Sequence, residues 1–356
     1  MSAWALVVGI NEYRPESGLS TLFGAVDDAV DFAEWALDPA GGAIDPAGLH
    51  LWTWPMPAAP PKAVEDALAA PPDWAHGPPD FTRAPRGDEI RLTLFNVAQK
   101  AAAEGVERLY VYFAGHGLQT KPLQYQLPEQ VCFVAGDYLP LFTQSLVPGI
   151  YVRSLMRRLG PVEVLMFFDC CRDEMSSFHA DPPVEWPTFN GAGTNLCCSL
   201  GLAASPGAKA FETPTASPKR GAFTRLLTYG LRALREKDVL TPGLLQIYLR
   251  TGIDRLTKPH RQKPSIILEP DDYDLELVRG PPTVAPPDLK VDLSQRPAHQ
   301  DVIMIYPDRS QVTLEAQAVH AFPASPIGLY FFETPAHVAL HSEYHSGPDP
   351  TDVAIA

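Results

Sequence analysis

The stretch VEVLMFFDCCRD, Val162 to Asp173, decides how this chain is read. All of its first seven residues except Glu163 are apolar, and an acid and two adjacent cysteines follow at once. So short an apolar run, ending abruptly in polar residues, reads as a strand buried on both faces of a parallel sheet. In open α/β sheets, ligands and chemistry gather beyond the carboxyl ends of the strands. Asp169, Cys170, Cys171 and Arg172 therefore stand where a reactive group is useful. A second stretch has the same shape: RLYVYFAGHG, Arg108 to Gly117, an apolar strand running into Gly-His-Gly. His116 and Cys171 stand 55 positions apart, which suits one strand–helix–strand crossover with a small insertion.

Working outward, strands and helices alternate. Strand patterns cover Trp4–Ile10, Leu49–Thr53, Val131–Ala135, Leu196–Ser205 and Ser265–Leu268. Helical spacing covers Ala25–Leu37, Glu89–Ala103, Tyr151–Leu159, Phe223–Arg235 and Gly243–Leu256. The alternation predicts an α/β fold, a mostly parallel sheet with helices on both faces. The proline-crowded residues 55–86 break every period and read as a surface insertion, and a loop is expected after His116. Glu174–Asn195 also lacks a period. Residues 280–287, with two Pro-Pro pairs, mark a boundary. Beyond them, short strand-like runs such as Leu289–Leu293, Val302–Tyr306, Val312–Val319, Gly328–Phe332 and Val338–His341 predict a small all-β domain over 288–356.

The formal charge of −14 over 356 residues argues against a nucleic-acid partner, and no Lys/Arg-rich run opposes that. Five cysteines without any CxxC spacing indicate neither a zinc ribbon nor a disulfide framework. The amino terminus reads as a core strand rather than a signal peptide, and no apolar run has the length of a membrane span. A cytoplasmic protein with no membrane partner is expected.

A thiol attacks a carbonyl as thiolate, and a nearby imidazole can take its proton. His116 and Cys171 are the best candidates for that pair, since adjacent parallel strands bring their ends together. The backbone N–H groups of Gly117 and Cys171 are candidates for an oxyanion hole. Side chains alternate along a strand, so Cys170 and Cys171 belong to opposite faces. Alternation alone does not say which of them faces the cleft.

FAGHG and FFDCCRD resemble the paired His and Cys motifs of caspase-like cysteine peptidases, in the prokaryotic branch related to metacaspases. GINEY after the first strand, LFGAVDDA, AASPGAKAFE and RGAFTRLL agree with that resemblance, in order, from about Trp4 to Val278. The resemblance implies a peptidase domain over 1–279, with a large-subunit-like part to 173, a linker over 174–195 and a small-subunit-like part over 196–279. It selects Cys171 over Cys170, through the D-x-C motif, as nucleophile beside His116. It also implies that Asp28 and Asp169 line the pocket for the residue preceding the cut. Two carboxylates there attract a guanidinium or ammonium group, so protein or peptide substrates cut after Arg or Lys are expected. The motif QACxG of animal caspases is absent, and Arg172 replaces the metacaspase histidine.

Calcium-dependent relatives use acids downstream of the cysteine. Asp173, Glu174, Asp181 and Glu185 offer oxygens but match no calcium loop, so no cofactor and no required metal are expected, with calcium left as the open alternative. The linker holds no Lys or Arg; Arg83, Arg86, Lys219 and Arg220 are the candidates for self-processing. The resemblance further implies a bacterial stress, cell-death or anti-phage role, with an activating protease or regulatory protein as partner. A silent scaffold acting through the β tail is the alternative. A nucleotide-binding protein is disfavoured because neither GxGxxG nor GxxxxGK follows a strand.

Overall fold

The computed structural model describes residues 2–75, 82–120, 130–140, 143–159, 163–174, 197–205, 207–213, 219–257, 260–269, 275–307 and 309–355. The chain begins with β1 (Ala3–Ile10), whose residues from Ala5 onward are buried. It turns through the GINEY segment into α1 (Ala25–Leu37), which buries Val26, Ala29, Val30, Ala33 and Leu37 along one face. Strand β2 (Leu49–Trp54) returns parallel to β1 and forms an edge.

The Pro55–Arg86 stretch is more than the surface insertion expected. It holds α2 (Lys62–Ala69), whose Val64 and Ala67 join the main core, and buried Trp74 stacks on Trp4 at 5.7 Å. Two turns among prolines are too few for a period to show. Helix α3 (Gly87–Ala103) leads into β3 (Arg108–Ala114). After Gly115-His116 comes β4 (Gly117–Thr120), where a loop was expected. Then follow β5 (Gln130–Val134), β6 (Leu146–Pro148), α4 (Gly149–Leu159), β7 (Glu163–Asp169), β8 (Asp173–Glu174) and β9 (Cys197–Leu202). Most of the linker read at Glu174–Asn195 lies outside the described residues.

Helix α5 (Ala222–Ala233), β10 (Val239–Leu240), α6 (Pro242–Thr257), β11 (Ser265–Glu269) and β12 (Val278–Arg279) complete this part. The central sheet has the order β11-β9-β7-β3-β1-β2, parallel throughout except that β11 runs antiparallel to β9. On one face pack α1, α2, α5 and α6; on the other, Ile90, Leu94 and Val97 of α3 and Val152, Leu155 and Met156 of α4. Burial on both faces is why the strands read as continuous apolar runs. A small sheet, β6-β5-β4-β8, sits at the carboxyl end of β3 and β7.

Among the described residues seven further strands follow: β13 (Leu289–Asp292), β14 (Val302–Ile305), β15 (Gln311–Leu314), β16 (Val319–Phe322), β17 (Gly328–Glu333), β18 (Ala339–His345) and β19 (Thr351–Ala354). They form two sheets, β16-β13-β19 and β15-β14-β17-β18, around a core that includes Val291, Met304, Tyr330 and Phe332. The run Val312–Val319 is two strands rather than one, because the chain turns at Gln317 with φ of 60°. The β unit docks on α5 and α6: Tyr248 donates its hydroxyl to the Ser346 carbonyl at 2.7 Å, and Arg225 pairs with Asp349. Among the described residues no helix is long and apolar enough to cross a membrane.

Candidate active site

Strand register builds this site. β3 and β7 are parallel neighbours with Ala114 opposite Asp169, and two residues further along each strand come His116 and Cys171. The pleat then separates the two thiols. Phe168 and Cys170 point into the core packed by α3 and α4, whereas Asp169 and Cys171 line an open cleft together with His116. Cys170 is 2% exposed, and its Sγ lies 2.5 Å from where a Cβ on Gly117 would stand, so that position admits only glycine. Burial first, and then the neighbouring Cys171 and Asp169, push the Cys170 thiol well up and keep it protonated. Cys171 is half-buried, and its thiol donates to the Ala210 carbonyl at 3.6 Å.

His116 is anchored from three sides. Its N–H donates to the Tyr13 hydroxyl at 2.9 Å, and its carbonyl accepts the Val134 N–H at 3.0 Å. Its Nε2 lies 2.8 Å from the Ser20 carbonyl. A carbonyl can only accept, so Nε2 carries hydrogen and the neutral ring has its lone pair on Nδ1. The Tyr13 ring meets the imidazole edge-on at 5.0 Å, and burial raises the Tyr13 pKa, holding its hydroxyl protonated. Tyr13 comes from the GINEY turn. Asn11 of the same turn accepts the Leu22 N–H on its carbonyl and the Val26 N–H on its side chain, tying β1 to α1.

Beside this pair the cleft is acidic. Asp28, in the first turn of α1, and Asp169, at the tip of β7, are both buried and converge on the amino end of α5. Gly221 N–H donates to Asp28 Oδ2 at 2.8 Å. Thr224 donates to Asp169 Oδ2 from its N–H at 3.1 Å and its hydroxyl at 2.6 Å. The positive end of a helix and its unpaired N–H groups suit anions. A Cβ on Gly221 would press into Asp169 Oδ2 and lie 2.6 Å from Asp28 Oδ2, so a side chain there would fill the cleft. Burial raises the Asp169 pKa to about 6 against the pull of the Thr224 hydrogen bonds. Burial, then the Asp169 charge, raises that of Asp28 well above the ordinary carboxylate range. Asp28 Oδ1 is buried and has no hydrogen-bond partner among the described residues.

A third acid, Glu212, also lines the cleft and accepts the N–H groups of Phe23 and Gly24 at 2.7 and 2.6 Å. Sequence reasoning missed Tyr13, Ser20, Glu212, Gly221 and Thr224 as site residues. GINEY, AKAFE and RGAFT were visible as motifs, but which atom each supplies depends on contacts between distant segments.

The self-processing candidates all have partners. Arg83 forks onto Glu89, and Arg86 onto Asp88. The Lys219 ammonium lies 4.5 Å over the Phe23 ring. Arg220 donates to the Asp27 carbonyl, lies 3.6 Å from Asp31, and its own carbonyl accepts the Thr213 N–H at 2.7 Å. Arg172 is buried; its N–H bonds the Ala208 carbonyl, and its carbonyl accepts the Gly207 N–H. It thus ties the end of β7 to the segment before Glu212. Asp181 and Glu185 lie outside the described residues. Among the described residues no group of three or more His, Cys, Asp and Glu side chains is arranged to hold a metal.

A family model described as the caspase domain matches residues 2–309. A protein of a Desulfuromonadales bacterium, named a probable protease, is 29% identical over 245 residues; these cover 65% of this chain and 26% of that protein. The chain therefore corresponds to a minor part of that relative. A Geobacter sulfurreducens protein of solved structure aligns with 80% of this chain and 99% of its own, at 15% identity and a TM-score of 0.48. Caspase-1 from Spodoptera frugiperda aligns over 74% and 85%, at 11% identity and a TM-score of 0.44.

Proposed function

Because the chain belongs to the caspase-domain family of peptidases, we propose that it is a cysteine endopeptidase cutting after arginine, and after lysine less well. The observation that carries the proposal is the convergence, in one cleft, of a half-buried thiol, an anchored imidazole and two buried carboxylates, one with an oxygen that has no partner among the described residues.

In this reading, the substrate guanidinium enters the acidic end of the cleft. It bonds Asp28 and Asp169, the planar fork matching carboxylate geometry better than an ammonium does. Glu212 adds negative charge at the rim. His116 Nδ1 takes the proton of Cys171, held in the required tautomer by the Ser20 carbonyl. The thiolate attacks the carbonyl carbon, and the oxyanion is received by the N–H groups of Gly117 and Cys171, an arrangement typically contributing about 3 kcal/mol. His116 then protonates the leaving amine, and water hydrolyses the thioester. Substrates are proteins with an accessible Arg or Lys, and the family resemblance supports a role in bacterial stress, cell-death or anti-phage responses.

The test uses fluorogenic peptides ending in Arg, Lys or Asp, with Cys171→Ala and Cys170→Ala alongside, with and without calcium. Turnover after Arg that is lost in Cys171→Ala and kept in Cys170→Ala is expected. Preference for Asp would sink the acidic-pocket reading, and activity surviving Cys171→Ala would remove the nucleophile. An absence of turnover throughout would favour a silent scaffold.

A further inference from the structure

Behind Asp169 lies a chain of hydroxyls that takes no part in the proposed reaction. Tyr112, in β3, is fully buried, and its OH lies 2.5 Å from Thr224 Oγ1. Thr224, also fully buried, lies 2.6 Å from Asp169 Oδ2 through the same oxygen. The direction of these bonds follows from hydrogen counting. An ionised carboxylate can only accept, so the single Thr224 hydrogen goes to Asp169, and the Thr224 oxygen takes the hydrogen of Tyr112. The Tyr112 ring is held by Phe32, stacked on it at 4.5 Å with a 15° tilt. Both residues lie at zero exposure, shielded from bulk water. A one-way chain of this kind polarises each bond toward its end, where low dielectric makes it strongest.

We propose that Tyr112 and Thr224 are positioning residues that keep the Asp169 carboxylate aimed and ionised for a substrate guanidinium. The proposal rests on the assignment of Asp169 to the pocket for the basic residue. Without the Thr224 hydroxyl, Asp169 retains, among the described residues, the Thr224 N–H, and the buried acid takes up a proton more readily. A protonated Asp169 neither attracts a cation nor accepts a bidentate pair. Other titratable groups facing it are Asp28 from α1, Glu212 from the segment before α5, Tyr112 from β3 and adjacent Cys170. Arg220 is directed to Asp27 and Asp31 instead.

The test compares the unaltered protein with Thr224→Val, Thr224→Ser and Tyr112→Phe on an Arg-ending peptide from pH 5.5 to 9. Removal of one charge-assisted hydrogen bond predicts KM raised about tenfold at pH 7 in Thr224→Val. A smaller rise is expected in Tyr112→Phe. In both variants kcat should hold and KM should return toward wild type as the pH rises, while Thr224→Ser follows wild type. A KM raised equally at every pH, or not raised at all, overturns the proposal. Should Thr224→Val fail to fold, Tyr112→Phe decides by the same criterion. Wild-type turnover judges the pocket reading separately. If wild type cuts no basic peptide, the carboxyl-carbon NMR titration of Asp169 still tests the chain. Its midpoint should move up in Thr224→Val and Tyr112→Phe, and an unmoved midpoint overturns it.

Discussion

Adjacent thiols at 170 and 171 sit in different solvents, one in a packed core and one in a cleft. Iodoacetamide at pH 7 should therefore label Cys171 at least tenfold faster than Cys170, read by peptide mass spectrometry; equal labelling would contradict the burial difference. Asp28 poses the opposite problem, a carboxyl placed where ionisation is costly. Its raised pKa makes it a stability liability above that pKa, since the folded state holds a proton longer than the unfolded chain. Asp28→Asn should melt at the same or higher temperature at pH 8, yet lose about a hundredfold in kcat/KM on Arg peptides, the worth of a charged pair. A lower melting temperature would show that the carboxylate holds the fold together.

The amino end of α5 is the element on which the site turns. Its N-cap Gly221 and its Thr224 hold the two acids, and the stretch around Glu212 pairs with Gly221. Gly221 has φ of −60°, an ordinary backbone that any residue adopts, so glycine is needed there for space alone. Gly221→Ala should fold, since the atoms nearest the added methyl belong to the side chains of Asp28 and Asp169 and not to backbone, and should abolish cleavage after Arg while Cys171 still reacts with iodoacetamide. Retained cleavage would mean that the carboxylates move apart freely. Legibility in sequence follows element length. The helix Ala25–Leu37 and the strand ending at Asp169 were readable because their periods run for three turns or are sealed by polar residues. Helix α2, β4 and the split of β15 from β16 were not, because so few residues carry no period and a single turn residue decides.

Across the whole molecule, two buried titrations pull stability in opposite directions. His50 is packed between Trp52 and Trp74, with both ring nitrogens lacking partners among the described residues, and burial lowers its pKa from 6.5 to about 4. A depressed histidine gives stability that is complete above pH 6.5 and lost as the pH falls toward 4, about 3 kcal/mol in all. Asp169, raised to about 6, gives stability that is present at pH 4 and lost as the pH rises through 6. His50→Phe should accordingly flatten the loss of stability between pH 6.5 and 4, measured by urea titration; an unchanged slope would assign acid sensitivity elsewhere. The docked β unit adds a further contact, and Tyr248→Phe, which removes the hydrogen bond to the buried Ser346 carbonyl, should cost about 1 kcal/mol in the same assay.

By itself the sequence determined the parallel sheet, the strand ends bearing His116 and Cys171, and the opposite faces of the two adjacent thiols. These follow from local periodicity, which neighbouring residues express without the rest of the chain. Tertiary structure alone decided that Ser20 reaches the imidazole, that Glu212 joins the acids, and that Gly221 and Thr224 bring a helix end against Asp28 and Asp169. Those contacts join segments up to 193 positions apart. Nothing local records them, because each residue meets its own backbone preferences equally well without the partner.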